Sequence, residues 1–343
     1  MSKKVRLLSL FSGIGAPEKA LKNLGYDIDL INYCEIDRFS STSYSVIHGV
    51  SEELNLKDVK KVDGKLFKNV DLLFHGSPCQ SFSAAGRQEG GDENSGTKSS
   101  LMWETVRIVS ECKPKIVIWE NVKSVLNKKH KHNFDLYLEK LNDLGYSSSH
   151  AIISPRDLGE AQSRERIFVI SLLDKQSFIF PSTNKTHQKT LKDYLEENVD
   201  ERYILPKKAA LNFAYTNPNF IGRMCISKYS DLAGCLVAKS GKAARTNNYL
   251  LYNYSDYQYY SNGKDIQFFA DNNIPIRSLT PLEYWRLQNF DDTDFYLAQE
   301  KLATTYKNGD VTKTDAQLYK QAGNSINVKV LESFLKKLID ENI

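Results

Sequence analysis

The sequence predicts an α/β fold in which a doubly wound, mostly parallel, Rossmann-like sheet is joined to a second, smaller β-rich domain. Short apolar runs that end in glycine or polar residues alternate with helical patterns along the first half of the chain, as expected for parallel strands connected by helices. After residue 181 the sequence is polar, tyrosine-rich and poorly periodic, and helical patterns return near residue 277. A chain of 343 residues is long enough for two domains, or for one domain with a large insertion.

A nucleotide-binding arrangement opens the chain. A predicted strand at residues 5–10 is followed by a loop, residues 11–15, that contains two glycines, and then by a helix with Pro17 in its first turn, where a missing N–H costs little. A second strand, residues 28–34, leads to Glu35, twenty residues after the second glycine. Glycines let the backbone approach a ligand, and an acidic residue at this spacing commonly accepts hydrogen bonds from ribose hydroxyls.

The ligand of this site is expected to contain adenosine without a pyrophosphate. Glu18 and Lys19 occupy the region where the dinucleotide fingerprint has its third glycine. Asp37 could contact the ribose in place of Glu35, and Asp58 either closes an adenine pocket or is an ordinary solvated carboxylate.

A cysteine follows the next apolar strand, residues 70–74. The strand stops at Gly76, and Pro78 restricts the backbone, so that Cys79 leaves the strand in a defined direction. A cysteine held past the carboxyl end of a strand in an open sheet is placed as a nucleophile would be. The alternative is a small buried cysteine that packs a loop.

A carboxyl group follows the neighbouring predicted strand, residues 115–119. Glu120 would share one crevice with Cys79 if the two strands are parallel neighbours, and a buried glutamate can have a raised pKa and donate a proton. Residues 84–100, between the two strands, are rich in glycine, serine and charge. Loops of this length are usually functional or disordered, so this one could close over a substrate.

The remaining strands are predicted at residues 152–153 and 167–173. Gln162, Arg164 and Arg166 precede the second of these strands.

Helices are predicted at residues 101–112, 277–291 and 327–340. In the second of these, Thr280 is the expected N-cap and Glu283 completes a capping box. The third has apolar residues at helical spacing, which predicts core packing.

Basic residues are concentrated in the second half of the chain. Residues 207–245 contain seven basic side chains and one acidic side chain, and residues 249–260 contain six tyrosines. Such a composition suits a nucleic-acid surface, although some of the tyrosines could instead form the core of a small domain. The other basic run, residues 128–132, is interpreted as a solvated face.

Composition excludes several classes of protein. The five cysteines are odd in number and lack the C-x-x-C spacing, which argues against a disulfide framework or a metal cluster and favours a reducing cytoplasm. No run of 18 apolar residues predicts a membrane span, and the N-terminus is interpreted as mature protein. The net charge of +4 permits nucleic acid as a partner without requiring it.

Seven segments resemble, in order, motifs of the cytosine-C5 DNA methyltransferases. The resemblance runs from about residue 5 to residue 340 and departs from the family at Ala16-Pro17, where many members have a second glycine or a bulky residue. The segments are FSGIGA (11–16), CEID (34–37), GSPCQSFS (76–83), ENV (120–122), QSRERIFVI (162–170), RSLTPLEYWRLQNF (277–290) and QAGNSINVKV (321–330).

The resemblance implies that Cys79 is the nucleophile and that Glu120, Arg164 and Arg166 hold a cytosine flipped out of the duplex. It implies no metal. It also implies S-adenosylmethionine as the cofactor, with Glu35 on the ribose and Asp58 on the adenine. The residues that would bind the cofactor are Phe11, Gly13, Ile14, Gly15, Glu35, Ile36, Asp58, Val59, Pro78, Leu101, Asn324 and Ser325.

Duplex DNA is the expected partner, bound by a monomer, and a partner endonuclease, if one exists, would act separately. The catalytic domain is predicted at residues 1–184 and 312–343, and the target-recognition domain at 185–311, with the helix at 277–291 on the boundary. The residues expected to contact DNA are Gln80, Ser83, Arg87, Arg223, Lys228, Lys239, Lys242 and Arg245.

Three other functions remain compatible with the sequence. An RNA cytosine methyltransferase would share the motifs, although residues 185–311 show no resemblance to that subgroup. A catalytically silent DNA-binding protein would keep the fold, but the complete catalytic set argues against it. A cysteine hydrolase using Cys79 and His75 lacks an evident third group to orient the histidine.

Overall fold

The computed structural model describes residues 3–82, 89–183, 188–205, 232–238, 249–251 and 276–343. The chain divides into two compact units. The first comprises Met1–Ile153, Glu165–Thr183 and Val330–Ile343, and the second comprises Ser154–Arg164 and Asn184–Lys329. The functional domains drawn at 184/185 and 311/312 stay a prediction.

A six-stranded sheet of order β2-β1-β3-β4-β6-β5 forms the centre of the first unit. β1 pairs in parallel with β2 and β3, β3 pairs in parallel with β4, and β6 is antiparallel to β4 and β5. The predicted α/β fold with a mostly parallel sheet is therefore confirmed. The strands are β1 (Lys4–Leu10), β2 (Asp27–Cys34), β3 (Leu72–His75), β4 (Ile116–Val122), β5 (Tyr146–Ile153) and β6 (Arg166–Leu173).

Helices connect the strands of the first unit and make up much of the described part of the second. α8 begins in the second unit and continues into the first. The helices are α1 (Ala16–Asn23), α2 (Arg38–His48), α3 (Met102–Cys112), α4 (Lys131–Asp143), α5 (Pro281–Leu287), α6 (Asp292–Tyr306), α7 (Asp315–Asn324) and α8 (Val328–Asn342).

The core of the first unit lies on the central strands. Leu7, Leu73 and Ile118 are completely buried, as expected for strands of a parallel sheet that is covered on both faces. Phe334 of α8 packs on Phe168 of β6, with ring centroids 5.3 Å apart, which confirms the apolar face predicted for the last helix.

The order of the strands reverses between β1 and β3. β1 leads along the chain to β2 on one side, and β3 lies on its other side. Open α/β sheets bind ligands beyond the carboxyl ends of their strands at such a reversal. The loops that follow β1 and β3 are therefore the first candidates for a binding site.

Two predicted strands are longer in the structure than in the sequence pattern. β4 continues through Glu120 to Val122, because Glu120 pairs with Phe168 of β6 and extends the ladder. β5 begins at Tyr146, because its polar first half also pairs with β6. The interpretation of residues 128–132 as a solvated face is wrong for His130, which is 2% exposed.

The described part of the second unit contains one pair of short antiparallel strands, β7 (Tyr249–Leu251) and β8 (Ile276–Ser278). A β-rich second domain is therefore not confirmed. The helix predicted at 277–291 is shorter in the structure, because residues 276–278 form β8 and α5 begins at Pro281 after its N-cap Thr280. Its predicted capping box is confirmed, since Thr280 and Glu283 cap each other's backbone N–H groups. Among the described helices, none is long and apolar enough to cross a membrane.

Candidate active site

The loop after β3, residues 76–82, is called the cysteine loop here, and neighbouring β4 holds its first half. Trp119 Nε1 donates to Ser77 Oγ at 2.9 Å, and Asn121 Nδ2 donates to the Ser77 carbonyl at 3.1 Å. All three residues are buried. The backbone that enters Cys79 is therefore fixed to the end of the adjacent strand.

The second half of the cysteine loop is also anchored. The Phe82 N–H donates to the Cys79 carbonyl at 3.0 Å, which closes a turn around the thiol-bearing residue. The Ser81 N–H donates to Ser99 Oγ at 3.0 Å, and Ser124 Oγ donates to the Phe82 carbonyl at 2.8 Å. Cys79 is half-buried and is not in a disulfide. The loop thus presents a thiol from a backbone held on both sides.

A carboxylate and a guanidinium lie beside this loop. Arg166 Nε is 3.2 Å from Glu120 Oε1, and the two side chains are only 15% and 12% exposed. They come from the paired strands β6 and β4. A Cβ built on Gly76 would lie 3.5 Å from Glu120 Oε2, so the carboxylate lies next to the first residue of the cysteine loop. The first unit thereby brings Glu120 and Arg166 next to the segment that carries Cys79.

His75 is not available as a base for Cys79. It is completely buried in β3, its Nε2 is 2.9 Å from Tyr137 Oη, and burial lowers its pKa to about 3. This environment removes the basis for the cysteine-hydrolase hypothesis.

The loop after β1, residues 11–15, is called the glycine loop here, and its backbone has unusual conformations. Phe11, Gly13 and Gly15 have φ angles of 54°, 57° and 80°, in the left-handed region that costs non-glycine residues free energy. A Cβ on Gly15 would lie 2.0 Å from His48 Nε2, whereas a Cβ on Gly13 would meet no atom within 4 Å. The loop is packed against α2 on one side and leaves open space at Gly13.

Glu35 closes the glycine loop from the end of β2. Its carboxylate accepts from the Gly13 N–H at 2.9 Å and from the Asp37 N–H at 2.8 Å. Asn55 brackets the backbone of Glu35, accepting from its N–H at 3.0 Å and donating to its carbonyl at 2.9 Å. Ile36 is 78% exposed, which is unusual for an isoleucine. An acceptor and an uncovered apolar side chain thus flank the open space at Gly13.

The segment with Asp58 and Val59 lies against the same strand end. Cys34 Sγ donates to the Lys57 carbonyl at 3.3 Å, and Asp58 is half-buried while Val59 is 4% exposed. Asp58 accepts from the Lys60 N–H at 3.1 Å. This hydrogen bond fixes the orientation of its carboxylate and leaves further acceptor capacity.

Buried ionisable side chains of α1 and α2 pack beneath the glycine loop, on the side away from the open space at Gly13. Tyr44 Oη donates to the Glu18 carboxylate at 2.8 Å, and His48 Nε2 donates to the Ile14 carbonyl at 3.0 Å. Burial raises the pKa of Glu18 and lowers the pKa of His48 to about 3. Sequence reasoning used Glu18 only as a departure from a fingerprint and missed His48, Tyr44 and Asn55, since nothing local marks their long-range contacts.

Several predicted site residues belong to the second unit. The guanidinium of Arg164 is buried and donates to backbone carbonyls of that unit. Asn324 ends α7 and Ser325 follows it. The roles predicted for Arg164, Asn324 and Ser325 stay predictions, as do those of Glu120 and Arg166.

The predicted DNA-contacting residues are mostly outside the described part of the chain. Gln80 is described and is exposed in the cysteine loop. The residues outside the described ranges are Ser83, Arg87, Arg223, Lys228, Lys239, Lys242 and Arg245. Within the described residues, no group of three or more His, Cys, Asp or Glu side chains could hold a metal ion.

The family profile of the C-5 cytosine-specific DNA methylases matches residues 5–340. The chain belongs to this family. It is 30% identical to the orphan methyltransferase M.SPRI of Bacillus phage SPR over 98% of both chains. It is 35% identical to the type II methyltransferase M2.ScrFI of Lactococcus lactis subsp. cremoris over 83% of this chain and 71% of the relative.

The fold of this C-5 cytosine methylase is also similar to that of solved methyltransferases. The Entamoeba histolytica methyltransferase EhMeth superposes with a TM-score of 0.77 at 22% identity and 99% coverage of both chains. The Dnmt2 methyltransferase of S. pombe gives a TM-score of 0.73 at 20% identity and 99% coverage of both. These structures show the fold, whereas the family profile and the relatives confirm the predicted family and enzyme class.

Proposed function

We propose that this DNA cytosine-C5 methyltransferase acts through a covalent bond between Cys79 and a cytosine that has been rotated out of the duplex. The observation that carries the proposal is the Glu120–Arg166 ion pair, whose side chains are only 12% and 15% exposed, beside a loop that presents a thiol. A base inside a helix cannot reach such a site, so the reaction requires extrusion of the cytosine.

The residue types fit the electronic demand of the reaction. Carbon 5 of cytosine is a weak nucleophile, and addition of the Cys79 thiolate to carbon 6 converts the ring into an enamine that is reactive at carbon 5. Glu120 would protonate or hydrogen-bond N3 while Arg166 meets O2, so that charge is stabilised where it develops. Carbon 5 would then gain the methyl group. Removal of the carbon 5 proton by a base would re-form the double bond between carbons 5 and 6 and release Cys79 as the thiolate.

S-adenosylmethionine would occupy the space at the glycine loop, and when bound it supplies an electrophilic methyl group. The open volume at Gly13, the acceptor capacity of Glu35 and the exposed face of Ile36 suit a ribose and an adenine ring. Asp58 would accept from the adenine amino group. The other residues proposed to contact the cofactor are Phe11, Ile14, Gly15, Val59, Pro78, Leu101, Asn324 and Ser325.

Duplex DNA would be read by the basic segment that includes Arg223, Lys228, Lys239, Lys242 and Arg245, with Gln80, Ser83 and Arg87 near the target base. Relatives named as type II and phage orphan methyltransferases support a role in restriction–modification or in protection of phage DNA. Bisulfite sequencing of DNA from host cells that express the protein would identify the methylated sequence.

The decisive experiment traps the covalent adduct. The wild-type protein, incubated with S-adenosylmethionine and duplex DNA that carries 5-fluorocytosine, is expected to form a denaturant-resistant complex, because fluorine cannot be removed as a proton can. The Cys79→Ala variant should bind the cofactor, form no adduct and lose methyl transfer to unmodified DNA. Methyl transfer by Cys79→Ala at the wild-type rate would exclude the covalent mechanism, and preferential methylation of tRNA in a parallel assay would favour an RNA substrate.

A further inference from the structure

The buried guanidinium of Arg164, in the second unit, donates hydrogen bonds to backbone carbonyls of two segments that are far apart in the sequence. Arg164 is 4% exposed, and its Nη1 donates to the Leu236 carbonyl at 2.7 Å. Its Nη2 donates to the carbonyls of Gly323 at 3.1 Å and Ser325 at 2.8 Å. The planar guanidinium of arginine presents its donors to several acceptors in fixed directions, whereas the three donors of a lysine ammonium lie on one compact, rotating group.

Residues 322–325, the last residues of α7 with Ser325 after them, are called the turn here, and this turn is held from a second direction as well. Gln288 Nε2 donates to the Ala322 carbonyl at 2.7 Å. A Cβ on Gly323 would lie 2.3 Å from the Val237 carbonyl carbon, so the turn packs directly on the backbone that contains Leu236. The position of the turn therefore depends on close backbone packing and on two buried donors.

We propose that Arg164 is a positioning residue for the cofactor: it fixes the turn from which Asn324 and Ser325 reach S-adenosylmethionine. This inference rests on the proposed function and replaces the direct contact with the flipped base that the family resemblance implies. Both nitrogens at the tip of the guanidinium already donate to backbone carbonyls. Loss of these donors leaves buried carbonyls unsatisfied and lets the turn shift.

The two roles of Arg164 make different predictions. A positioning residue affects binding of the cofactor before DNA arrives, whereas a residue that holds the base affects adduct formation and leaves cofactor affinity unchanged. Equilibrium binding of radiolabelled S-adenosylmethionine without DNA measures the first effect. The rate of adduct formation with 5-fluorocytosine DNA at saturating cofactor measures the second.

We expect Arg164→Ala to weaken cofactor binding about tenfold or more, as for the loss of a charged hydrogen-bond donor, and Arg164→Lys to restore part of the affinity. Gln288→Met should produce the same kind of defect, because it removes the other donor to the turn. Adduct rates at saturating cofactor should stay within about threefold of wild type, since the bound cofactor holds the turn in place.

Arg277→Lys is the matched control. Arg277 is also a buried arginine of the second unit, but it pairs with Glu283 at 2.8 Å and none of its described hydrogen bonds reaches the turn. It should lose stability without a change in cofactor affinity. An equal loss of affinity in this control would overturn the inference, as would unchanged affinity in Arg164→Lys and Gln288→Met. If Arg164→Ala does not fold, the cofactor affinities of Arg164→Lys and Gln288→Met test the inference.

The binding measurement requires neither DNA nor turnover. A wild-type protein that binds the cofactor but forms no adduct would therefore contradict the proposed function and leave the inference on Arg164 testable. Normal cofactor affinity in the Arg164 variants together with a lost adduct would instead return Arg164 to the flipped base.

Discussion

The glycine loop after β1 and the cysteine loop after β3 follow paired parallel strands, yet different kinds of side chain hold them. Ionisable groups fix the glycine loop: the Glu35 carboxylate accepts from Gly13, and the His48 ring donates to Ile14. Neutral donors fix the cysteine loop, namely Trp119 and Asn121 on Ser77 and Ser124 on Phe82.

Because of this difference, we expect the two loops to respond differently to pH. Protonation changes the charge of a carboxylate or an imidazole, but not that of an indole, an amide or a hydroxyl. The glycine loop should therefore be the more sensitive of the two to pH, because burial shifts the pKa of Glu18 upward and that of His48 downward to about 3. Changes to the residues that hold this loop should affect cofactor binding. The geometry of the cysteine loop should be insensitive to pH and should control the chemical step.

Glu120→Gln tests the chemical side of the comparison and should have the largest effect. The glutamine side chain of this variant would keep the shape of the glutamate but could not supply a proton to N3, so we expect kcat to fall by about 10²-fold or more. Cofactor affinity should not change. Steady-state kinetics of methyl transfer to duplex DNA measure both quantities.

Glu165→Gln is the control for that experiment. Glu165 lies next to Arg166 but is 52% exposed and pairs with Lys123, so its variant should retain wild-type kcat. Wild-type turnover in Glu120→Gln would remove Glu120 from the mechanism.

Asn121→Ala should have the next largest effect, because it removes a donor to the Ser77 carbonyl while leaving the glycine loop intact. A lost buried hydrogen bond costs about 1 kcal/mol or more, and if that cost appears in the placement of Cys79, kcat falls about tenfold. Asn32→Ala is the matched control, since Asn32 also donates to a backbone carbonyl, that of Leu54, at 3.0 Å. A change in cofactor affinity without a change in kcat would contradict the separation of the two loops.

Asn55→Ala tests the other loop and should have the opposite signature. Without the two hydrogen bonds to its backbone, Glu35 would be less well oriented, and we expect affinity for S-adenosylmethionine to fall several-fold with kcat at saturation unchanged. Exposed Asn23, which pairs with Glu332 at 2.7 Å, offers a control in Asn23→Ala. A fall in kcat equal to the fall in affinity would show that the loops are coupled.

Sequence patterns predicted the frame of this site better than its supports. Apolar runs ending in glycine located β1 and β3, and motif residues such as Glu35 and Glu120 follow those runs or the neighbouring strands. The polar first half of β5 was missed, because its partner strand, not its own pattern, makes it a strand. Asn55 and His48 were missed because their roles arise only when residues far apart in the chain meet.

Glu18→Gln should have the smallest effect of these substitutions. The pH dependence of its stability tests whether a charged carboxylate beneath the glycine loop destabilises the fold. Glu18 is 2% exposed, and burial raises its pKa above the ordinary value of 4.5. The folded state therefore binds the proton more tightly than the unfolded state. Its contribution to stability is complete below about pH 4.5 and is lost as the pH rises through the folded pKa.

A glutamine at this position would accept the Tyr44 hydrogen bond without ever acquiring charge. The difference in Tm between Glu18→Gln and wild type should therefore grow in favour of the variant, by a few degrees at most, as the pH rises from 5 to 8. Titration of His48, whose pKa is lowered to about 3, changes stability as the pH falls below about 6.5, but it does so in both proteins and cancels in the difference. A difference in Tm that stays constant over this pH range would mean that the buried carboxyl of Glu18 carries its charge at no cost.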